Sequence, residues 1–296
     1  MSASPAAVSI DNLTKRYGDV QALAGVSFDV AEYTVCGLLG RNGAGKTTVM
    51  QILTGQGWAT SGQVRVFCEQ PFENERILAD VCFVKESQRY PDLSVRAILA
   101  AAARLYPQWN TMLADELLAD FALPLRRGVK KLSRGQLSAV GIVIGLASRS
   151  RLTLFDEPYL GLDAVARQLF YDRLLADYAE YPRTILLSTH LIDEVSELLE
   201  HVVLIDHGQV LLAGSAEALR ERAVTVTGPT ATVERFAAPY DVLHRESLGG
   251  VTRSTVSGRF TPADRSAAIA VGLDLQTVSL QQLVVRTTTR PREESS

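Results

Sequence analysis

The sequence predicts an α/β fold: a core built on a buried, mostly parallel sheet, followed by a smaller α+β unit. Three observations carry that expectation. Gly40-Arg41-Asn42-Gly43-Ala44-Gly45-Lys46-Thr47 fits G-x-x-x-x-G-K-[ST], a glycine-rich turn that wraps a polyphosphate. The turn lies between an apolar run that reads as a buried strand, residues 33–39, and one that reads as the start of a helix, residues 48–53. Two further buried-strand runs, residues 151–158 and 184–190, end in polar tips, Asp156-Glu157 and Ser188-Thr189-His190.

Each letter of the turn has a physical reason. Glycines admit backbone conformations closed to residues with a Cβ, so successive N–H groups can point inward at phosphate oxygens. Gly40, Arg41, Asn42, Gly43, Ala44, Gly45, Lys46, Thr47 and Thr48 are therefore the candidate phosphate contacts. Lys46 places a compact charge on the β- and γ-phosphates, and the Thr47 hydroxyl is sized to ligate Mg2+. The dipole of the helix that follows favours anions at its N-terminal end.

Composition bounds the rest. The 296 residues suffice for one large domain, or a medium domain and a small one. With 47% hydrophobic and 21% charged residues and no low-complexity tract, the chain reads as soluble and globular. A net charge of −3 argues against a nucleic-acid partner bound mainly through phosphates. No apolar run approaches the roughly 20 residues that cross a bilayer. Residues 1–10 lack the basic start of a secretory signal. Cys36, Cys68 and Cys82 are odd in number and lack C-x-x-C spacing, so no disulfide frame or metal site is indicated. The expected location is the cytoplasm.

Along the chain, residues 8–13 alternate as an edge strand does, and residues 20–30 as its antiparallel partner. The Tyr17 ring between them could stack on a base at about 1–3 kcal/mol, or be a surface tyrosine in a hairpin turn. Residues 62–67 read as a strand. Residues 81–84 read as a short buried strand running out into Glu86 and Gln88, where open α/β sheets place ligands; solvated loop polars look the same. Residues 95–106 and 111–123 have helical period, broken at Pro107 and Pro124, and make a helical insertion. Ser133 sits in N-cap position before an apolar helix over 137–147, and Gly135 would let backbone approach a ligand closely.

In a protein with this phosphate turn, Asp156 suits the Mg2+ position at the end of its strand. Glu157 is then close to where water must attack the γ-phosphate, able to orient or deprotonate it; an acid pair capping a helix is the bland alternative. Gly161-Leu162-Asp163 turns into a helix over 164–178. A lone histidine at a strand end is usually structural, but a parallel neighbour of the Asp156 strand would bring His190 within reach of the γ-phosphate. Residues 202–212 read as a hairpin closing the sheet, and 215–222 as a short helix.

The order of these motifs resembles the ATP-binding-cassette (ABC) ATPases over residues 8 to about 222, and in particular the ATPase subunits of bacterial transporters whose membrane-spanning part is a separate chain. Tyr17 matches the aromatic A-loop, residues 40–47 Walker A, and Leu132-Ser133-Arg134-Gly135-Gln136 the signature. Asp156-Glu157 matches Walker B with its glutamate, Gly161-Leu162-Asp163 the D-loop, and His190 the switch histidine. The resemblance implies ATP and Mg2+ as cofactors, with Lys46, Glu157 and His190 in catalysis and Thr47, Asp156 and Gln88 at the metal. It also implies a head-to-tail pair, homodimer or heterodimer, with ATP between Walker A of one domain and Ser133, Gly135 and Gln136 of the other, Asp163 nearby. Closing on ATP would drive a separate integral-membrane permease, by a ligand-driven population shift.

Three departures stand out. Arg134 replaces the signature's second glycine, compatible if its side chain points to solvent. Leu160 occupies the D-loop serine position. By count the Q-loop glutamine falls on Glu86, while Gln88 lies two residues later. Gln88 is taken, because a neutral amide adds no negative charge near phosphates; Glu86 is the rival.

From Ala223 the pattern changes. Strands at 224–227, 240–246, 251–256 and 273–278 alternate with helices at 230–237 and 262–271, a βαββαβ order that resembles the ferredoxin-like arrangement. The whole reads as a P-loop ABC ATPase core with an antiparallel β subdomain and a helical subdomain, plus a small ferredoxin-like C-terminal domain. The expected spans are 1–222 for the ATP-binding domain, with its helical subdomain at about 90–150, then 223–289, and a disordered polar end at 290–296. The tail could dimerise, regulate, or simply pack on the ATPase.

The expected function is ATP hydrolysis powering a separate membrane subunit, for export, from a position peripheral on the inner face of the cell membrane. A soluble cassette ATPase of ribosomes or DNA is the alternative; the second cassette, coiled-coil insertion and basic surface usual there are not in the sequence. A kinase or GTPase reading lacks Asn-Lys-x-Asp and leaves residues 132–136 unexplained.

Overall fold

The computed structural model describes residues 5–86, 88–258 and 260–288. The chain divides into two compact units, Met1–His190 with Glu197–Ala213, and Leu191–Ser196 with Gly214–Ser296.

In the first unit, β1 (Ala6–Tyr17) lies between β2 (Val20–Ala31) and β4 (Ser61–Val66), antiparallel to both. Residues 8–13 are therefore central, which corrects the expectation of an edge strand: Ile10 faces Phe28 on one side and Val64 on the other. Alternation reports one solvated face of an antiparallel sheet, and a central strand has that as readily as an edge.

A second sheet runs β5 (Val81–Lys85), β6 (Leu152–Asp156), β7 (Thr184–Thr189), β3 (Val35–Leu39), β8 (His201–Asp206) and β9 (Gln209–Ser215), parallel from β5 to β8. Every residue of β3, β6 and β7 is buried, as in a parallel sheet covered on both faces. One apolar cluster joins Ile10, Val26 and Phe28 of the first sheet, Val49, Met50 and Leu53 of α1 (Lys46–Leu53), and Leu154, Leu186 and Val203 of the second.

Register aligns the strand ends. Leu39 lies opposite Thr189, Asp156 opposite Ser188, and Lys85 opposite Asp156. The strands finish level, and the next residues, Gly40, Glu86, Glu157 and His190, begin loops along one edge of the sheet, where open α/β sheets hold ligands.

The helices follow capped starts. After the short α2 (Glu75–Leu78), Ser94 and Asn110 cap α3 (Val95–Leu105) and α4 (Thr111–Asp120). α5 (Arg134–Ala147) is buried from Ala139 to Ala147, and α6 (Ala164–Glu180) carries a buried acid, Asp177. Asp177 meets Arg183 at 2.7 Å and Arg149 at 2.8 Å, and Arg183 is only 2% exposed.

The second unit holds α7 (Ile192–Val195), α8 (Ala216–Glu221), β10 (Ala223–Pro229), α9 (Thr230–Ala237), β11 (Asp241–Leu248), β12 (Val251–Ser257), α10 (Pro262–Ala270), β13 (Asp274–Thr277) and α11 (Leu280–Thr288). Its antiparallel sheet has the order β11-β12-β10-β13, the ferredoxin-like arrangement of a βαββαβ chain. Val226 packs with Val233 of α9 and Ala268 of α10, while Val224 packs with Ala237 and Val256. The helix α11, its Leu280, Leu283 and Val284 buried, was not expected from the sequence. Residues 290–296, expected to be disordered, lie outside the described residues. No helix among the described residues is long and apolar enough to cross a membrane.

Truncating Asp177→Ala would strand the Arg183 charge in the interior, a loss of about 3–5 kcal/mol read as a lower urea unfolding midpoint. Glu180→Ala, removing the exposed arm of the Arg149 cluster, should leave that midpoint almost unchanged.

Candidate active site

The phosphate turn joins β3 to α1, and Gly45 caps the helix in the left-handed region at φ 110°. A Cβ there would fall 2.6 Å from Leu23 Cδ2 and 2.9 Å from the Ala22 carbonyl, so glycine is required on space as well as on angle. Lys46, 6% exposed, donates to the carbonyls of Gly40 at 2.7 Å and Arg41 at 3.2 Å, and lies 3.5 Å from Glu157 Oε1. The Thr47 hydroxyl donates to Asp156 Oδ2 at 2.7 Å. Residues 42–48, with Ala22, Glu86, Asp156 and Glu157, line a cavity of about 390 Å3.

Asp156 Oδ1 is buried without a hydrogen-bond partner. An orphaned carboxylate oxygen whose twin already meets a hydroxyl fits a hard divalent cation that keeps most of its waters and takes phosphate oxygens. Thr47 and Asp156 could hold such an ion. No cluster of three or more His, Cys, Asp or Glu suited to a metal occurs among the described residues, so the site would depend on phosphate and water for its other ligands.

Glu157 sits in the left-handed region at φ 50°, its N–H donating to the Ser188 carbonyl at 3.2 Å. That backbone turn points the carboxylate across the ends of β6 and β7. Its Oε2 receives His190 Nδ1 at 2.8 Å and the Tyr159 hydroxyl, while Oε1 is buried without a hydrogen bond. Tyr159 also meets Thr189 Oγ1 at 2.8 Å and accepts the His190 N–H at 3.2 Å. Burial first, and then the adjacent Glu157 charge, push the Tyr159 hydroxyl well above its ordinary value. Sequence reasoning missed Tyr159. The available signal was a phenol one residue past the Pro158 that follows the acid pair: a buried tyrosine hydroxyl needs a partner, and the acids are the nearest ones.

The structure thus brings together Lys46, Thr47, Asp156, Glu157 and His190. Gly40 and Arg41 reach the cleft through carbonyls that hold Lys46. Other expected contacts lie elsewhere in the chain. Ser133 and Gln136 form a reciprocal cap of α5, each bond 3.2 Å. Gly135 admits the Gly161 carbonyl, which would stand 2.5 Å from a Cβ, so here its missing side chain serves a backbone contact within the chain. Asp163 caps α6 through the Ala166 N–H at 2.8 Å, and Ser138 Oγ holds the Leu160 carbonyl at 2.6 Å. None of Ser133, Gly135, Gln136 or Asp163 lines the cavity.

At three positions the surroundings differ from those expected. Glu86, not Gln88, lines the cavity; Gln88 is half-buried, with its N–H on the Lys85 carbonyl at 3.3 Å, because β5 ends at Lys85 and the turn places the next residue at the cleft. Arg134 does not simply point to solvent: its guanidinium meets Glu86 Oε1 at 2.7 Å. Tyr17 ends β1 opposite Val20 and is half-exposed, its ring 4.8 Å from the Lys15 ammonium, and it does not line the cavity.

Comparison with known proteins agrees with this geometry. Residues 23–160 match the family described as ABC transporter. The bacitracin transport ATP-binding protein of Bacillus licheniformis is 31% identical over 208 residues, 69% of this chain and 68% of its own. The Nod factor export ATP-binding protein I of Paraburkholderia xenovorans is 32% identical over 263 residues, 86% of this chain and 84% of its own. Among solved structures, an ATP-binding subunit of an ABC transporter superposes with a TM-score of 0.64 at 25% identity, over 72% of this chain and 91% of that one. Likeness at that level, across most of the length of both relatives, establishes that the chain belongs to the ABC transporter ATP-binding proteins, which bind ATP and hydrolyse it to power transport.

Proposed function

We propose that this chain is the ATPase of an exporter, pairing head to tail with a second cassette and acting on a separate integral-membrane subunit from the cytoplasmic face. The observation that carries the mechanism is the placement of Glu157 Oε1, unsatisfied and buried, 3.5 Å from Lys46 at the head of the cleft. A carboxylate there can take the proton of a water aligned on the γ-phosphate. Lys46 exchanges the Gly40 and Arg41 carbonyls for phosphate oxygens when ATP enters, and the turn's N–H groups hold the remaining charge. Thr47 and Asp156, with Glu86 rather than Gln88 beside them, would hold Mg2+, which would offset the charge of the phosphates. His190, fixed on Glu157, stands at the γ-phosphate end, and Tyr17 remains the residue to stack on the base.

Pairing is supported by what the cleft lacks. Ser133, Gly135 and Gln136, at the N-terminal end of α5, do not line the cavity of their own chain, an arrangement suited to a phosphate bound by another chain. Intact Lys46, Ser133 and Glu157 would make a homodimer active at both sites; a heterodimer is the other form. Export is supported by the name of the Nod factor relative. The net charge of −3 disfavours a nucleic-acid partner. For the C-terminal domain expected at residues 223–289, we propose a role in dimer contact or regulation.

Glu157→Gln is expected to keep ATP binding, cut hydrolysis by at least about 100-fold, and trap a closed dimer on size exclusion; turnover at the parental rate would remove Glu157 as the base. Asp156→Asn is expected to raise the Mg2+ concentration giving half-maximal hydrolysis by about 10-fold or more, measured by titration at saturating ATP.

A further inference from the structure

We propose that Tyr159 is a positioning residue for hydrolysis: its hydroxyl fixes Glu157 Oε2, so that Oε1 alone faces the attacking water. The inference rests on the reading of Glu157 as the base.

Proton counting gives the direction of every bond. A phenol has one proton to donate and two lone pairs to accept with. The Glu157 carboxylate can only accept, and the His190 backbone N–H can only donate. The Tyr159 proton therefore goes to Glu157 Oε2, and the phenol oxygen accepts from His190 N–H at 3.2 Å and from the Thr189 hydroxyl at 2.8 Å. All three valences of the phenol are used in a residue only 2% exposed, and His190 Nδ1, 3.3 Å from the phenol oxygen, is left to serve the carboxylate. Burial keeps the hydroxyl protonated across the ordinary pH range, so the donor is permanent.

Glu157 Oε2 then carries two donors, Tyr159 and His190 Nδ1–H at 2.8 Å. This also sets the proton on His190: Nδ1 carries it, and Nε2 takes no part in the contact with Glu157. Oε1 has no hydrogen bond and lies 3.5 Å from Lys46. Without the phenol, Oε2 is held only by His190, whose side chain is 38% exposed. The carboxylate is then free to close further onto the Lys46 ammonium, already 3.5 Å from Oε1, which misplaces the base and engages the cation meant for phosphate.

Tyr159→Phe keeps the ring and removes only the hydroxyl. Its expected effect on the full-length protein is a fall of about tenfold in kcat with KM for ATP within about twofold of the parent. The thermal midpoint should stay close to the parental value. Combined with Glu157→Gln it should cost nothing further, since there is no base left to position. Should Tyr159→Phe fail to fold, Thr189→Val, which removes the hydroxyl that orients the phenol, should lower kcat about threefold at unchanged KM.

Parental kcat in Tyr159→Phe, or in Thr189→Val where that variant is needed, overturns the inference. So does a loss shared by kcat, KM and thermal midpoint, which marks a packing role. If Glu157→Gln itself remains active, the reading of the base fails instead; if Glu157→Gln is inactive and Tyr159→Phe is parental, only the positioning role fails.

Discussion

A buried ammonium must be surrounded by acceptors, and that requirement at Lys46 shapes the whole cleft. The side chain is 6% exposed, and its charge is met by two carbonyls of its own turn and by Glu157 at 3.5 Å. A buried ion pair of this kind adds little to stability once the desolvation of both partners is counted. The proposed function explains its place by exchange: the acceptors around the lysine would be replaced by phosphate oxygens. The level ends of β3, β6 and β7 make the arrangement possible, because they bring the turn, the two acids and His190 to one edge of the sheet.

On the proposed reading, the same cleft needs a second chain to complete it. The signature residues are satisfied locally, Ser133 by the cap with Gln136 and Gly135 by the Gly161 backbone, and they do not reach Lys46 of their own chain. Two departures from the family pattern answer each other here. Glu86 brings a negative charge to a cavity meant for phosphates, and Arg134 stands 2.7 Å from it. Both side chains are largely exposed, so the pair contributes only about 0–1 kcal/mol to stability. Its larger effect is to offset a carboxylate at the rim of an anion site.

Much of this was legible in the sequence because it is local. The phosphate turn, the acid-ended strand at Asp156 and the strand leading to His190 each announce themselves within ten residues, and their order fixes a parallel sheet. The ferredoxin-like tail was readable for the same reason. What failed depends on neighbours distant in sequence. Alternation in residues 8–13 could not reveal that β4 pairs on the far side of β1. Counting fell on Glu86, the residue that lines the cavity; the preference for a neutral amide pointed to Gln88 because it took no account of where β5 stops. Tyr159 was unreadable as a functional residue until Glu157, Thr189 and His190 were seen around it. The helix α11 was readable and was missed: Ser279 and Gln282 exchange capping bonds, and Leu280, Leu283 and Val284 follow helical spacing.

That one chain supplies only half of the chemistry is tested most directly by complementation. Lys46→Ala destroys the phosphate turn of a chain and spares its signature; Ser133→Arg does the reverse. Head-to-tail pairing predicts that each variant alone is nearly inactive, and that an equimolar mixture recovers toward about a quarter of the parental ATPase rate through the one intact composite site of each mixed dimer. A mixture no more active than its components, or a Ser133→Arg chain that hydrolyses ATP at the parental rate, would contradict it.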